Sequence, residues 1–196
     1  ISIDPHNEVE IRSIVNDDPV YLYIGSYNRG LIRMNKSTGE TDHFMHQPED
    51  PSTLGSNRIL DMHRESSGNI WIGTDGGGLN YFDIRTEDFT RFQYKGFDNK
   101  TLSNNSVYAV TIDQEGNLWT GNYHGGVNLS KGRVSFFTLG SNPGYPNSLD
   151  NKLVTSILRD NNGNLWVGTD GGGINIFNSN WERIEKNLLP PGFLKE

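Results

Sequence analysis

One run of text recurs along this chain. Asp160 to Phe177 reads Asp-Asn-Asn-Gly-Asn-Leu-Trp-Val-Gly-Thr-Asp-Gly-Gly-Gly-Ile-Asn-Ile-Phe, and Gly68 to Phe82 repeats most of it almost letter for letter. A looser copy runs from Asp113 to Leu129, and the loosest from Tyr21 to Met34, where Tyr23 stands in for the tryptophan. Measured on that ring, Tyr23, Trp71, Trp119 and Trp166 stand 48, 48 and 47 residues apart. A fixed period of this length dictates a repeat architecture, because a unit too small to bury its own apolar face must stack on its neighbours.

Within one period the residue pattern predicts four short strands. In the second repeat Arg58–Arg64 carries Ile59, Leu60 and Met62, and Ser66-Ser67-Gly68-Asn69 supplies a turn before a strand at Ile70–Gly73. Asp75-Gly76-Gly77-Gly78 predicts a tight reversal, since glycine reaches positive φ without steric cost. Leu79–Phe82 and an alternating Phe89–Tyr94 complete the unit. These connections are too short for crossover helices, so the strands pair antiparallel. Four-stranded antiparallel units at this period are β-propeller blades. The expected fold is all-β, a partial or small propeller of four blades.

The whole chain, residues 1–196, reads as one propeller segment with blades near 9–46, 58–94, 106–139 and 153–184 and a tail at 185–196. Blade one is expected to end on an outer strand Thr41–His46, and blades three and four on outer strands holding Val134-Ser135-Phe136-Phe137 and Trp181. The loops between blades repeat too, with Leu54, Leu102 and Leu149 expected to pin them down. Leu188-Leu189-Pro190-Pro191-Gly192 leaves no room for a fifth blade and makes a poor central strand.

A hydrophobic fraction of 33% suits stacked sheets with polar turns better than one thick core. Net charge is −7 without a basic run, which argues against a nucleic-acid partner. No apolar stretch reaches membrane-spanning length, so direct membrane insertion of this segment is not expected, and no signal-like leader is read. The absence of cysteine removes thiol-based zinc and redox sites. Because it opens on isoleucine, the chain is expected to be a piece of something longer.

The run Gly-Asn-[Leu/Ile]-Trp-[Ile/Val]-Gly-Thr-Asp-Gly-Gly-Gly-[Leu/Ile]-Asn, with a Ser/Thr-Leu-x-x-Asn-type loop between blades, resembles the two-component regulator propeller repeat. The resemblance covers residues 9 to 184 and is closest in blades two and four. It implies the extracytoplasmic sensor of a hybrid histidine kinase/response regulator of Bacteroides type, hence a periplasmic location and oligosaccharide or another small ligand as partner. Sensors of that family usually carry more blades, an immunoglobulin-like module, a membrane helix, and kinase and DNA-binding parts. None is read here, so the signalling chemistry is expected outside this segment.

In an up-and-down meander the turn between second and third strands shares a face with the loop into the next blade. That face carries Tyr27-Asn28-Arg29, Asp75-Gly76-Gly77, Tyr123-His124-Gly125 and Asp170-Gly171-Gly172 at equivalent positions. The aromatic, amide and cationic side chains among them could stack on a sugar and hold its hydroxyls. The candidate ligand-binding residues are therefore Tyr27, Asn28, Arg29, Asp75, Tyr123, His124 and Asp170. The competing reading is variation tolerated at loop tips.

No cofactor or metal site is expected. Asp160-Asn161-Asn162-Gly163-Asn164 looks calcium-like, but its glycine comes fourth and Gly171 occupies the twelfth place, where an EF-hand needs glutamate. His43 and His46 would fall on opposite faces of one strand. Adjacent carboxylates such as Glu87-Asp88 lie in turns, and neither a nucleophile elbow nor a dinucleotide loop is present. The segment is expected not to be an enzyme. A fragment of a propeller lyase or glycan hydrolase, and a protein-binding scaffold, are the alternatives, because fold does not fix function. An open arc of four blades is expected either to belong to a larger propeller or to pair as a homodimer that completes one ring.

Overall fold

The computed structural model describes residues 9–96, 98, 100–132, 136–142 and 144–186. The opening segment 1–8, Val134-Ser135 and the proline segment at 188–192 lie outside them. Blade one contains β1 (Ile11–Val15), β2 (Tyr21–Ser26), β3 (Leu31–Asn35) and β4 (Thr41–Phe44). Blade two contains β5 (Ile59–Arg64), β6 (Ile70–Thr74), β7 (Leu79–Phe82) and β8 (Phe89–Phe92). Blade three contains β9 (Val107–Ile112), β10 (Leu118–Asn122), β11 (Gly126–Ser130) and β12 (Phe136–Leu139), and blade four β13 (Val154–Arg159), β14 (Leu165–Thr169), β15 (Gly173–Phe177) and β16 (Arg183–Lys186). Each sheet pairs its four strands antiparallel in chain order. The first strands β1, β5, β9 and β13 contact one another in succession and form the inner edge of the arc.

Apolar residues gather at the three junctions between blades. Tyr23, Leu54, Ile59, Ile72 and Phe82 join blades one and two. Trp71, Val107, Leu118 and Phe136 join two and three, and Trp119, Val154, Leu165 and Phe177 join three and four. Tyr23, Trp71 and Trp119 are 2%, 1% and 1% exposed. Trp166, whose outer neighbour would be a fifth blade, is only half-buried.

Glycine two residues after each of these rings lets the next inner strand approach. A Cβ at Gly25 would lie 2.6 Å from Ile59 Cγ2, one at Gly73 would lie 2.7 Å from the Val107 carbonyl oxygen, and one at Gly121 would collide with the Val154 side chain. The equivalent Gly168 faces only Ser156 and Thr155 of its own blade.

The repeated asparagine clamps the loop arriving from the preceding blade. Asn80 Oδ1 accepts the Gly55 amide at 2.8 Å, Asn128 Oδ1 the Ser103 amide at 3.0 Å, and Asn175 Oδ1 the Asp150 amide at 2.8 Å. Leu54, Leu102 and Leu149 are buried beside these clamps.

The acidic turns between first and second strands pin the tryptophans. The Trp71 indole N–H donates to Glu65 at 3.3 Å, Trp119 to Asp113 at 2.9 Å and Trp166 to Asp160 at 2.9 Å. Among the described residues no group of three or more metal-type ligands is gathered.

Three outer strands differ from the expected bounds: β8 ends at Phe92 rather than Tyr94, whose amide donates to Asn105 Oδ1 at 2.7 Å. β4 stops at Phe44, because His46 turns to the loop, its amide donating to Asn57 Oδ1 at 2.7 Å and its ring meeting the Leu54 carbonyl at 2.7 Å. Trp181 is not on β16 but in the turn before it, at φ 66, the conformation that Glu87 adopts at the equivalent place in blade two. Its ring leans on Trp119 across the junction, with centroids 4.8 Å apart.

Two predictions follow from these contacts. Gly73→Ala drives a methyl group into the Val107 backbone and lowers stability by about 1–3 kcal/mol, whereas Gly168→Ala, meeting only the movable Ser156 hydroxyl, costs less than about 1 kcal/mol; urea unfolding of both variants distinguishes them. The second concerns acid. The Trp166 indole holds the Asp160 carboxyl down at about 2 against an ordinary 3.8, with the Asn164 and Asn162 amides helping and slight burial opposing. A carboxyl lowered on folding contributes stability that is complete above its unfolded value and lost as pH falls toward the folded one. The Tm advantage of the protein over Asp160→Asn is therefore constant above pH about 5 and shrinks toward pH about 2 in thermal melts; an undiminished gap at low pH would refute this.

Candidate functional site

Every inner strand carries the same irregularity near its start. The register jumps from Ile11 to Ser13, Ile59 to Asp61, Val107 to Ala109 and Val154 to Ser156, so Arg12, Leu60, Tyr108 and Thr155 are left out of the ladder. These are β-bulges, which re-aim a side chain and recur beside functional sites. All four lie at the end of the inner strand that adjoins the tips.

The tips are held by equivalent bonds. The amides of Tyr27, Asp75, Tyr123 and Asp170 donate to the carbonyls of Glu10, Arg58, Ser106 and Leu153 at 2.8–3.0 Å. The Gly30, Gly78 and Gly126 amides donate to Asn57, Asn105 and Lys152 in the loops leading onward. Tips and interblade loops therefore share one face, and each tip residue stands beside the bulge of its own blade.

Bulge and tip side chains meet. The Arg12 guanidinium lies 5.1 Å from the Tyr27 ring centroid, and Tyr108 stacks on Tyr123 with centroids 5.8 Å apart and planes 23° from parallel. The Tyr27 hydroxyl crosses to the next blade and donates to Asp75 Oδ2 at 3.1 Å. Ser106 Oγ, from the blade after that, donates to Asp75 Oδ1 at 2.7 Å, and Arg58 Nε stands 3.6 Å from the same carboxylate. Asp75 thus ties the tips of blades one, two and three together. Burial pushes the Tyr108 phenol up, reinforced by Asp75, Tyr27 and Tyr123 and opposed by Arg12, which places all five in one electrostatic neighbourhood.

Of the seven residues expected at the site, Tyr27, Asp75 and Tyr123 belong to this cluster. His124, at φ 50, sets its ring edge-to-face against Tyr123 at 4.3 Å. Asn28 Oδ1 accepts the Glu10 amide at 3.4 Å. Arg29 occupies the place that Gly77, Gly125 and Gly172 hold in the other tips, and its amide donates to Ser26 Oγ at 2.7 Å. Asp170 is exposed on blade four, and among the described residues no hydrogen bond links the Arg29 or Asp170 side chain to the cluster. Arg12, Arg58, Ser106 and Tyr108 are additions that the sequence did not single out. The signal for Arg12 and Tyr108 was their spacing together with Leu60 and Thr155, four unlike residues at one repeat position.

Behind the cluster, Asp61 joins three inner strands. Its carboxylate accepts the Val110 amide of blade three at 2.8 Å, the Ser13 hydroxyl of blade one at 3.3 Å and its own Met62 amide at 2.8 Å. Burial raises its pKa, and those three donors oppose the shift. Three of the roughly four acceptor positions of the carboxylate are thereby engaged by the scaffold.

Fold and site together define an open arc of four propeller blades with an aromatic and charged tip face. Residues 53–76, 101–124 and 148–171 match the model of the two component regulator propeller family. The chain therefore carries two-component regulator propeller repeats, each match running from an interblade loop to the following tip. Among solved structures it is similar to the extracellular domain of the putative hybrid two component system BT3049 from B. thetaiotaomicron, with 25% identity, a TM-score of 0.74, and coverage of 92% of this chain and 24% of that one. The extracellular domain of BT4673 from the same organism shares the fold at 22% identity and TM-score 0.74, over 94% of this chain and 25% of that one. Virginiamycin B lyase from Staphylococcus aureus shares it at 11% identity and TM-score 0.70, over 95% and 58%. The chain thus spans about a quarter of the length of the two-component domains it resembles. No curated protein matches it.

Proposed function

We propose that this chain is a ligand-sensing, non-catalytic segment of the extracytoplasmic, periplasmic part of a hybrid two-component sensor, and that its tip face recognises an oligosaccharide. The observation that carries the reading is the stacked Tyr108–Tyr123 pair, with Tyr123 40% exposed. An exposed aromatic face flanked by His124, Arg12 and the Asp75 network offers both a stacking surface and hydroxyl partners, the combination that amphipathic ligands need. Asn28, Arg29 and Asp170 form the outer part of the same face. The similarity to extracellular two-component domains supports the class of protein, and the engagement of Asp61 by three donors supports binding over acid–base chemistry.

The open ends belong to the same reading. Ile11, the counterpart of Ile59, Val107 and Val154, is 43% exposed on blade one, as is Ile14 at 55%. Gly168 and Trp166 on blade four form the socket into which such a residue packs at the internal junctions. Further blades cover these ends, and in the isolated chain a second copy supplies them as a homodimer that completes one ring.

A glycan-array screen followed by calorimetry tests the ligand. Tyr123→Ala weakens the best oligosaccharide by about tenfold, the loss of roughly one aromatic contact, while the circular dichroism spectrum stays unchanged. Unaltered affinity in Tyr123→Ala and Tyr108→Ala would remove the tip face from consideration. Light scattering tests the ends: a dimer dispersed by Ile11→Glu is expected, and a monomer at every concentration would count against pairing.

A further inference from the structure

Successive outer strands meet through aromatic rings at two of the three junctions. At the first, Phe44, the last residue of β4, faces Phe89, the first of β8, with ring centroids 6.2 Å apart. At the second, Phe92 and Phe136 hold the same two places at 6.3 Å. At the third the last residue of β12 is Leu139 and the first of β16 is Arg183. Register fixes the equivalence, since Phe44, Phe92 and Leu139 oppose Leu31, Leu79 and Val127 in their ladders, and Phe89, Phe136 and Arg183 oppose Phe82, Ser130 and Phe177. The third junction thus lacks both rings. The Arg183 side chain is committed to the loop before blade four, donating to the Ser148 carbonyl at 3.0 Å and to Asp150 Oδ1 at 2.8 Å.

A groove of about 610 Å³ opens there, within the roughly 300–1,000 Å³ of small-molecule sites. Val127 and Leu129, both buried, form its floor with Leu139, and Phe137 and Trp181 stand at its sides. Phe137 is 64% exposed and Trp181 half-buried, so these walls are open to an incoming molecule. Five of the nine lining residues are Val, Leu, Phe or Trp, whereas a bound water needs two to four polar partners. Contiguous open hydrocarbon of this kind marks an interaction site, unlike single apolar residues scattered on a surface. The polar lining is cationic and amide in character. Lys131 is exposed at the groove, and among the described residues no ion pair or hydrogen bond engages its ammonium. Asn147 Oδ1 accepts the Arg183 amide at 3.0 Å, which leaves the Asn147 side-chain N–H groups as donors. A hydrocarbon body with a negative head complements this lining.

We propose that this groove is a second ligand site, separate from the tip face, which takes a small aromatic carboxylate. The ring lies over Leu139 between Phe137 and Trp181 and supplies the aromatic contact that Phe89 and Phe136 make at the other junctions. The carboxylate meets the Lys131 ammonium, with the Asn147 amide as a further donor. The site does not depend on what the tip face binds.

Phenylacetate is the probe. Benzyl alcohol keeps its ring without the charge, acetate its charge without the ring, and glucuronate the charge on a ring that is not aromatic. Two-dimensional NMR of the whole chain reads binding at the Trp181 indole N–H and at the Phe137 and Leu139 amides. Saturable shifts with phenylacetate are expected, and each of the other three binds about tenfold more weakly, as loss of an aromatic contact or a charge-assisted hydrogen bond requires. Phe137→Ala, at an exposed position, weakens phenylacetate about tenfold, and Lys131→Gln weakens it several-fold. Leu139→Phe restores the residue that blades one and two carry and abolishes the shifts. Should that variant fold poorly, Phe137→Ala and Lys131→Gln decide the matter. Tyr123→Ala on the tip face leaves the affinity unchanged, which separates this site from that one. Absence of saturable shifts, glucuronate or benzyl alcohol binding as well as phenylacetate, or affinity unaltered in Phe137→Ala or Lys131→Gln would each overturn the proposal.

Discussion

The contact on which everything else rests is the approach of each inner strand to the glycine of the preceding blade. Face-to-face sheets ordinarily stand about 10 Å apart, with side chains from both sides filling the gap. At Gly25, Gly73 and Gly121 no room exists even for a methyl group. Two residues earlier on the same strand face, the gap accepts a tyrosine or tryptophan ring. Each junction is therefore a wedge, closed at the tip end and wide at the other. The tight end draws bulges and tips of successive blades close enough for Tyr27 to reach Asp75 and for Ser106 to reach it from the other side. The wide end must be filled, by an aromatic ring inside and an arginine at the rim.

Most of the repeated text is spent on this architecture. The tryptophan fills the wedge and fixes its indole to the acidic turn, the glycine admits the neighbour, the asparagine holds the incoming loop, and the leucine of that loop is buried beside it. Such residues recur because every junction makes the same demand. Chemistry that distinguishes one blade from another is left to positions with constant backbone geometry and changing side chains. The bulge residues Arg12, Leu60, Tyr108 and Thr155 and the tip residues Tyr27, Asp75, Tyr123 and Asp170 are of this kind. Asp75 also shows that a varied position can be structural, since its oxygens are taken by Tyr27 and Ser106.

Periodicity made the blades legible, because a 48-residue repeat of strand-and-turn text has few packed solutions. It also made the pinning leucines and the hairpin character of the acidic turns legible. The bulges were not, since an extra residue present in all four repeats leaves no unbulged copy to compare with. The ends of outer strands escaped for a different reason: Asn57 and Asn105, eleven residues downstream, capture the His46 and Tyr94 amides and end the ladder there. Trp181 reads as a strand residue by propensity, but the turn before β16 needs a left-handed conformation at its place and Trp119 offers a ring to lean on. Tertiary contact overrode local preference in both cases.

Blade geometry and site composition are linked through Asp61. Two of its three hydrogen bonds run to the adjacent inner strands on either side, so sliding one blade against the next must stretch or break them. The Asp75 bonds at the tips span the same three blades and respond to the same motion. A ligand seated on Tyr108 and Tyr123 contacts blade three directly and blades one and two through this network, so it can bind one arrangement of the three blades better than another. Differential affinity of that sort is the requirement for a signal, since a ligand shifts a conformational balance only by the difference in its binding to the two states. The open faces beyond blades one and four are where such a shift would be handed on, because an exposed Ile11 and an unfilled Gly168 socket are the two halves of the junction by which blades feel one another.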